Sequence, residues 1–366
     1  MKFFYLNKNS LLILFVILAT FTACEPTDDN EDDIVTYNEG ILISNEGAFD
    51  NGAGTGSISF FNRADASVEN NIFANANDRP LGNVVQSVSL HNENAYIVVN
   101  NANVVEVVEA ETFKSVGTIE GLELPRYFMG IDNNKAYVSQ WGSDGVTGSV
   151  AVIDLTTNTI AKTIATDSGA ERMLRVGNEI WVACRGGFGL ANSIEVINTE
   201  TDELTQTITV GFNPNSLQLD YNNKVWAICN GNTVYDADWN VDEAASTVGS
   251  LSKIDAATYT LESNLAFGSI YGSPSNLVIN AENNMLYYNY NGQVFQHDVD
   301  ATLLSETAFI AKSFYGLGFD NIDNYLFGTD VKDYISRGYV FRYNAATAEV
   351  IDSLHVGVIP NAGFSF

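Results

Sequence analysis

The chain has 366 residues and carries 45 acidic against 17 basic side chains, a formal net charge of −28. That charge repels nucleic acid and anionic lipid before any contact forms, so neither is expected as a direct partner. With three cysteines and three histidines in all, the chain has no disulfide framework and little material for a histidine metal centre or a Ser-His-Asp mechanism.

The first residues, Met1-Lys-Phe-Phe-Tyr-Leu-Asn-Lys8, precede an apolar run from Leu11 to Ala19 and then Phe21-Thr-Ala-Cys24. A basic start, a short apolar stretch and small residues describe a secretory signal, too short for an ordinary membrane-spanning helix. Phe21-Thr22-Ala23-Cys24 also resembles the bacterial lipobox, which implies that residues 1–24 are a lipoprotein signal and that Cys24 is lipidated. The alternative is a plain signal peptide in which Cys24 is incidental. Residues 25–36 open with Glu25-Pro-Thr-Asp-Asp-Asn-Glu-Asp-Asp33, which has nothing apolar to bury and is expected to be a solvated tether. An acidic run after the lipidated cysteine resembles the export tag of surface-exposed lipoproteins in Bacteroidota. It implies the outer face of the outer membrane, with membrane contact only through the lipid.

From residue 37 to residue 366 short alternating strands recur, each closed by a turn. The clearest landmark is a strand ending in an acidic or amide residue, at Asn62, Glu109, Asp154, Asn198, Asp255, Asp298 and Asn344. Neighbouring landmarks lie about 43 to 47 residues apart, except for about 57 where Asn230 to Thr247 is inserted. Four short strands per period predict an all-β chain: a seven-bladed β-propeller of four-stranded antiparallel blades. The first blade begins with its second strand, Ile41-Leu-Ile-Ser-Asn45, and Pro360-Asn-Ala-Gly-Phe-Ser-Phe366 repeats the opening of Asn213-Pro214-Asn215-Ser and Ser273-Pro274-Ser275-Asn. The C-terminus is therefore expected to supply the missing strand and close the ring, leaving a monomer without an open seam.

Val150-Ala-Val-Ile-Asp-Leu-Thr-Thr-Asn-Thr-Ile with Thr207-Ile-Thr-Val-Gly-Phe-Asn-Pro-Asn, and Ala95-Tyr-Ile-Val-Val-Asn100 with Ala136-Tyr-Val-Ser139, resemble the Tyr-Val-Thr-Asn type repeat of seven-bladed propellers. Gly40-Ile-Leu-Ile-Ser-Asn-Glu-Gly47, Leu81-Gly-Asn83 and Pro125-Arg-Tyr127 are similar to Bacteroidota surface lipoproteins of this architecture, a group that includes propellers capturing vitamin B12. The resemblance implies a surface-anchored binding protein that passes a nutrient, with a corrinoid (cobalamin) as leading ligand, to a TonB-dependent outer-membrane transporter. It implies no cofactor and no catalysis. A glycan or siderophore ligand, a protein interaction platform, and a propeller enzyme such as a lactonase or quinoprotein dehydrogenase remain open alternatives.

Minimal turns at Asn92-Glu-Asn94, Asp132-Asn-Asn134, Asn222-Asn223 and Thr156-Thr-Asn158 belong to one face of the disc. The opposite face carries the long connections, where binding residues concentrate on a rigid scaffold. Arg79, Arg126, Arg172, Arg185 and Arg337 fall in or beside these connections, and guanidinium groups pair with carboxylate, phosphate or amide oxygens. Tyr127, Trp141, Phe188, Trp239, Tyr271, Tyr290, Tyr315 and Tyr334 offer flat surfaces in the same connections, and Asn215 offers an amide. The expected site is a pocket for a bulky ligand with rings and polar groups. The alternative is that each residue anchors its own loop. Asp236, Asp238, Asn240 and Asp242 are spaced like the start of a calcium loop, but Val241 stands where the sharp turn needs glycine and Thr247 where the loop needs glutamate. Metal is not otherwise expected. Cys184 and Cys229 end equivalent strands after Trp181 and Trp226 and are read as buried thiols.

Overall fold

The computed structural model describes residues 36–37, 40–49 and 56–365. The signal, Cys24 and all of the tether but its last residue lie outside the described residues. Seven antiparallel sheets follow one another along the chain in a seven-bladed propeller. The innermost strands of blades two to seven are Val85–His91, Pro125–Gly130, Ala170–Val176, Pro214–Leu219, Ser275–Ile279 and Leu317–Asp320. Pro360–Ser365 takes that place in the first blade, pairing antiparallel with Gly40–Asn45 through Leu42 with Ser365 and Asn45 with Pro360.

Six sheets have four strands and one has three. In the sixth blade the outer edge of Gln293–Asp298 meets only an isolated bridge between Val294 and Ile310. The segment after it, Ala301-Thr-Leu-Leu-Ser-Glu-Thr, lacks the alternation of a strand, which accounts for the missing outer ladder. The first blade differs too: a three-residue outer strand, Val68–Asn70, leads into a helix, Ile72–Asn77. Ile72 and Phe73 are buried there against Val85 and Phe113, so the helix extends the core between blades one and two.

The landmark residues have a local physical role. At Asn62, Asp154, Asn198, Asp255, Asp298 and Asn344 a side-chain oxygen accepts the backbone N–H two residues on, at 2.8 to 2.9 Å. This turn replaces backbone bonding where the chain reverses. The reversals at Asn92, Asn158, Asn223, Asn283 and Asn324 place asparagine at positive φ, a conformation asparagine tolerates.

The core lies between the faces of adjacent blades. Trp181, Ile194 and Val196 of the fourth pack on Leu217, Val225 and Ala227 of the fifth. Ile41, Ile43 and Phe61 of the first pack on Phe327, Val340 and Leu354 of the seventh, so the closing seam is as apolar as any other. Cys184 and Cys229 are buried free thiols, and burial pushes the Cys229 thiol up to about 11. Among the described residues no helix is long and apolar enough to cross a membrane.

Candidate functional site

Six of the seven innermost strands begin with a break in register. The breaks fall between Val85 and Ser87, Pro125 and Tyr127, Ala170 and Met173, Pro214 and Ser216, Ser275 and Val278, and along the closing strand between Pro360 and Phe364. A bulge bends the strand and redirects the side chain it frees. The residues so freed include Gln86, Arg126, Glu171, Arg172, Asn215, Asn276 and Asn361, and all seven line one cavity of about 380 Å³.

That cavity is the mouth of the central channel. Its rim adds Glu46, Arg185, Asn230, Ser273, Phe314 and Tyr315, which come from the long connections. A narrower space of about 260 Å³, lined by Ser87, Gln218 and Gly363 among others, shares Tyr127, Arg172 and Ala362 with the mouth.

The charges are sorted around the ring. On the third and fourth blades Arg126 donates Nε to Glu171 Oε2 at 2.9 Å and Nη2 to Oε1 at 3.0 Å, with both residues buried at 9% and 2% exposure. Trp141 donates its indole N–H to Glu171 Oε2 at 2.8 Å, and the Arg126 guanidinium lies 4.1 Å from the centre of that ring. Burial pushes the Glu171 carboxyl up, but Arg126, Arg185 and Arg172 together hold it below its ordinary value.

Arg172 and Arg185 are much less committed. Arg172 donates one hydrogen bond, to the Ala362 carbonyl at 3.2 Å, and lies 4.7 Å from the Tyr127 ring centre. Arg185 reaches Glu171 only at 3.6 Å. Each guanidinium has five N–H donors, so both keep donors for a ligand.

Across the mouth Glu46 is 6% exposed. It accepts from the Tyr315 hydroxyl at 3.2 Å to both oxygens and from Asn361 Nδ2 at 3.3 Å, and no cation lies within ion-pair distance among the described residues. Burial pushes its carboxyl up, against the pull of Asn361, Arg126 and Tyr315. Asn215 braces this side, donating to Asn230 Oδ1 at 2.8 Å and to the Pro274 carbonyl at 3.2 Å.

Of the residues singled out from sequence, Arg126, Tyr127, Arg172, Arg185, Asn215 and Tyr315 meet in this mouth. Trp141 stands behind it, with Phe188 edge-on at 5.5 Å. Tyr334 packs edge-on against Tyr315 at 6.2 Å. Tyr290 belongs instead to the sixth-blade core, with its ring 4.5 Å from Phe267. Arg337 anchors its own blade by donating to the carbonyls of Val356 and His355, and Arg79 pairs with Glu106 and stacks on Phe73. Phe188, Trp239 and Tyr271 are largely exposed, Trp239 at 83%.

The insertion is a small hairpin bridged through Asn232 with Thr247 and Tyr235 with Val241. In it Asp236 Oδ1 accepts from the N–H groups of Asp238 and Asn240, and Asp242 Oδ1 from those of Ala244 and Ala245. These oxygens are occupied by the loop's own backbone. Among the described residues no group of three His, Cys, Asp or Glu side chains is placed to hold a metal.

Glu46, Gln86, Glu171, Asn276 and Asn361 are among the mouth residues that sequence reasoning missed. For Asn361 a signal existed in the strand opening repeated at Pro125-Arg126, Pro214-Asn215 and Pro360-Asn361, where the polar residue after proline is the one a bulge frees.

The family model described as "Domain of unknown function (DUF5074)" matches residues 39–358. The chain belongs to this family. No curated protein matches it. Among solved structures, the DUF5074 chain is similar to a quinoprotein alcohol dehydrogenase-like protein from Bacteroides thetaiotaomicron VPI-5482, at 12% identity and a TM-score of 0.62, covering 90% of this chain and 79% of that one. It is also similar to the periplasmic gluconolactonase of Pseudomonas aeruginosa, at 12% identity and a TM-score of 0.61, covering 88% and 98%. Hydrazine synthase of Kuenenia stuttgartiensis matches at 16% identity and a TM-score of 0.56, covering 75% and 88%. At such identities the likeness is one of fold.

Proposed function

We propose that this DUF5074 chain captures a small anionic ligand at the mouth of its central channel, as a binding protein held at the cell surface by a lipid on Cys24. The observation that carries this reading is the pair Arg172 and Arg185, two guanidiniums with open donors at the cavity mouth of a chain whose net charge is −28. In a recess such donors converge on carboxylate or phosphate and bind it more strongly than isolated donors on an open surface.

A corrinoid such as vitamin B12 is the ligand that the sequence resemblance favours. Its phosphodiester and peripheral amides suit the arginines and amides of the mouth. Its macrocycle is too broad for about 380 Å³ and would lie on the exposed rings of Phe188, Trp239, Tyr271 and Tyr334. Delivery to a TonB-dependent transporter belongs to the same reading.

Calorimetric titration with cyanocobalamin and cobinamide tests the ligand. Heat that is lost in Arg172→Gln, with the melting temperature kept, is the expected result; absence of heat with folded protein removes the corrinoid. Radiolabelled palmitate incorporation into the protein, compared with Cys24→Ala, tests the anchor.

A further inference from the structure

Resting on the reading of the mouth as an anion site, we infer that its ligand is a polyhydroxylated carboxylate, a sugar acid the size of one monosaccharide. The juxtaposition behind this is a divided ring. Arg126, Arg172 and Arg185 stand on blades three and four, whereas Glu46, Asn230, Ser273, Ser275, Asn276 and Tyr315 stand on blades one, five, six and seven.

Size comes first. A cavity of about 380 Å³ has the volume of roughly a dozen liquid waters at about 30 Å³ each, and it holds a hexuronate with room for several ordered waters, because bonded atoms pack closer than separate molecules. Inorganic phosphate would fill only the arginine side and leave the rest to solvent.

Polarity comes next. Apart from the rings of Phe314, Tyr127 and Tyr315 and the methyl of Ala362, the wall is made of charged, amide and hydroxyl groups. A fatty or aromatic acid would cover these groups without pairing them, and each polar group covered and left unpaired weakens binding. A ring of hydroxyls pairs them, because each hydroxyl both donates and accepts.

Glu46 decides between a hydroxyl and an ammonium at the far side. Its oxygens already accept from Tyr315 and Asn361, and burial raises its carboxyl above its ordinary value. Both of its present partners are neutral donors, a hydroxyl and an amide, and a ligand hydroxyl extends that set. The carboxylate of the ligand then lies toward Arg172 and Arg185, whose donors are open.

The test is a calorimetric titration of the protein with glucuronate, galacturonate, glucose, acetate, phosphate and cyanocobalamin, repeated on Arg172→Gln with its melting curve. The expected result is that a uronate binds at least tenfold tighter than glucose, acetate or phosphate. Loss of the guanidinium should weaken it about tenfold to a hundredfold. Digalacturonate separates the sources: equal or tighter binding points to the end of a uronate chain, exclusion to the free monosaccharide. If cyanocobalamin or phosphate binds and is lost in Arg172→Gln while no uronate binds, the sugar acid is overturned and anion capture stands. If no anion binds to folded protein, both are overturned.

Discussion

Arg126 of the third blade and Glu171 of the fourth meet in a two-pronged ion pair at 2.9 and 3.0 Å that is almost wholly buried. The pair does two things at once. It ties neighbouring blades at the channel mouth, and it engages both oxygens of Glu171, the carboxylate nearest Arg185, so that Arg185 reaches it only at 3.6 Å. Removing Arg126 leaves buried Glu171 with only the Trp141 indole and the more distant Arg185, so Arg126→Ala should lower stability, by up to about 3 to 5 kcal/mol. The double replacement Arg126→Met with Glu171→Leu should cost much less, because no charge is left behind. Urea denaturation of the two single variants and the double variant checks this.

Ring closure predicts a second outcome. Pro360–Ser365 completes the first blade, and Asn361 Nδ2 reaches the carbonyls of Val85 and Gln86 at 3.1 and 3.0 Å, so the strand also ties the first blade to the second. Deleting residues 360–366 opens a sheet edge and severs both ties. Against a typical total stability of about 5 to 15 kcal/mol, the truncated chain should lack a cooperative melting transition by circular dichroism.

A third prediction concerns pH. His297 is buried against Trp226, with ring centres 5.2 Å apart, and among the described residues neither of its ring nitrogens has a hydrogen-bond partner. Burial pushes its pKa below the ordinary 6.5, outweighing the pull of Asp298. Between the folded and unfolded values the unfolded chain binds the extra proton. The contribution is therefore fully present above about pH 6.5 and is lost as pH falls through the window below it. Thermal melts from pH 7.5 to 5 should show this loss, and His297→Phe should flatten that part of the profile.

The fold was legible because each turn repeats the same local chemistry. Asp154, Asn198, Asp255 and Asn344 end their strands with the same backbone-capping oxygen, so the period survives wide variation in the strands themselves. The sixth blade was less legible, since a turn residue at Asp298 announces a fourth strand that residues 301–307 do not form. At the site, arginine and aromatic content in long connections singled out Arg126, Arg172 and Arg185, which line one cavity, but also gathered Arg337 and Tyr290, which do not. What sets Arg126 and Arg172 apart is their place at the bulged opening of an innermost strand; Arg337 sits at a register break on the third strand of its blade, and Arg185 reaches the mouth from a connection. Bulges depend on pairing register, and register is not visible in one strand read alone.

Anion capture at the channel mouth, as proposed, runs through Arg172 and Arg185. The measurement that tests it most directly is one binding isotherm of the tightest anion found, taken for the wild-type protein and for Arg172→Gln with Arg185→Gln, with melting temperatures alongside. The account predicts that the double variant melts as the wild type does and loses at least about a hundredfold in affinity, since hydrogen bonds to charged groups are worth about 1.5 to 3 kcal/mol each. Unchanged affinity in the folded double variant would contradict it and place the ligand elsewhere on the protein.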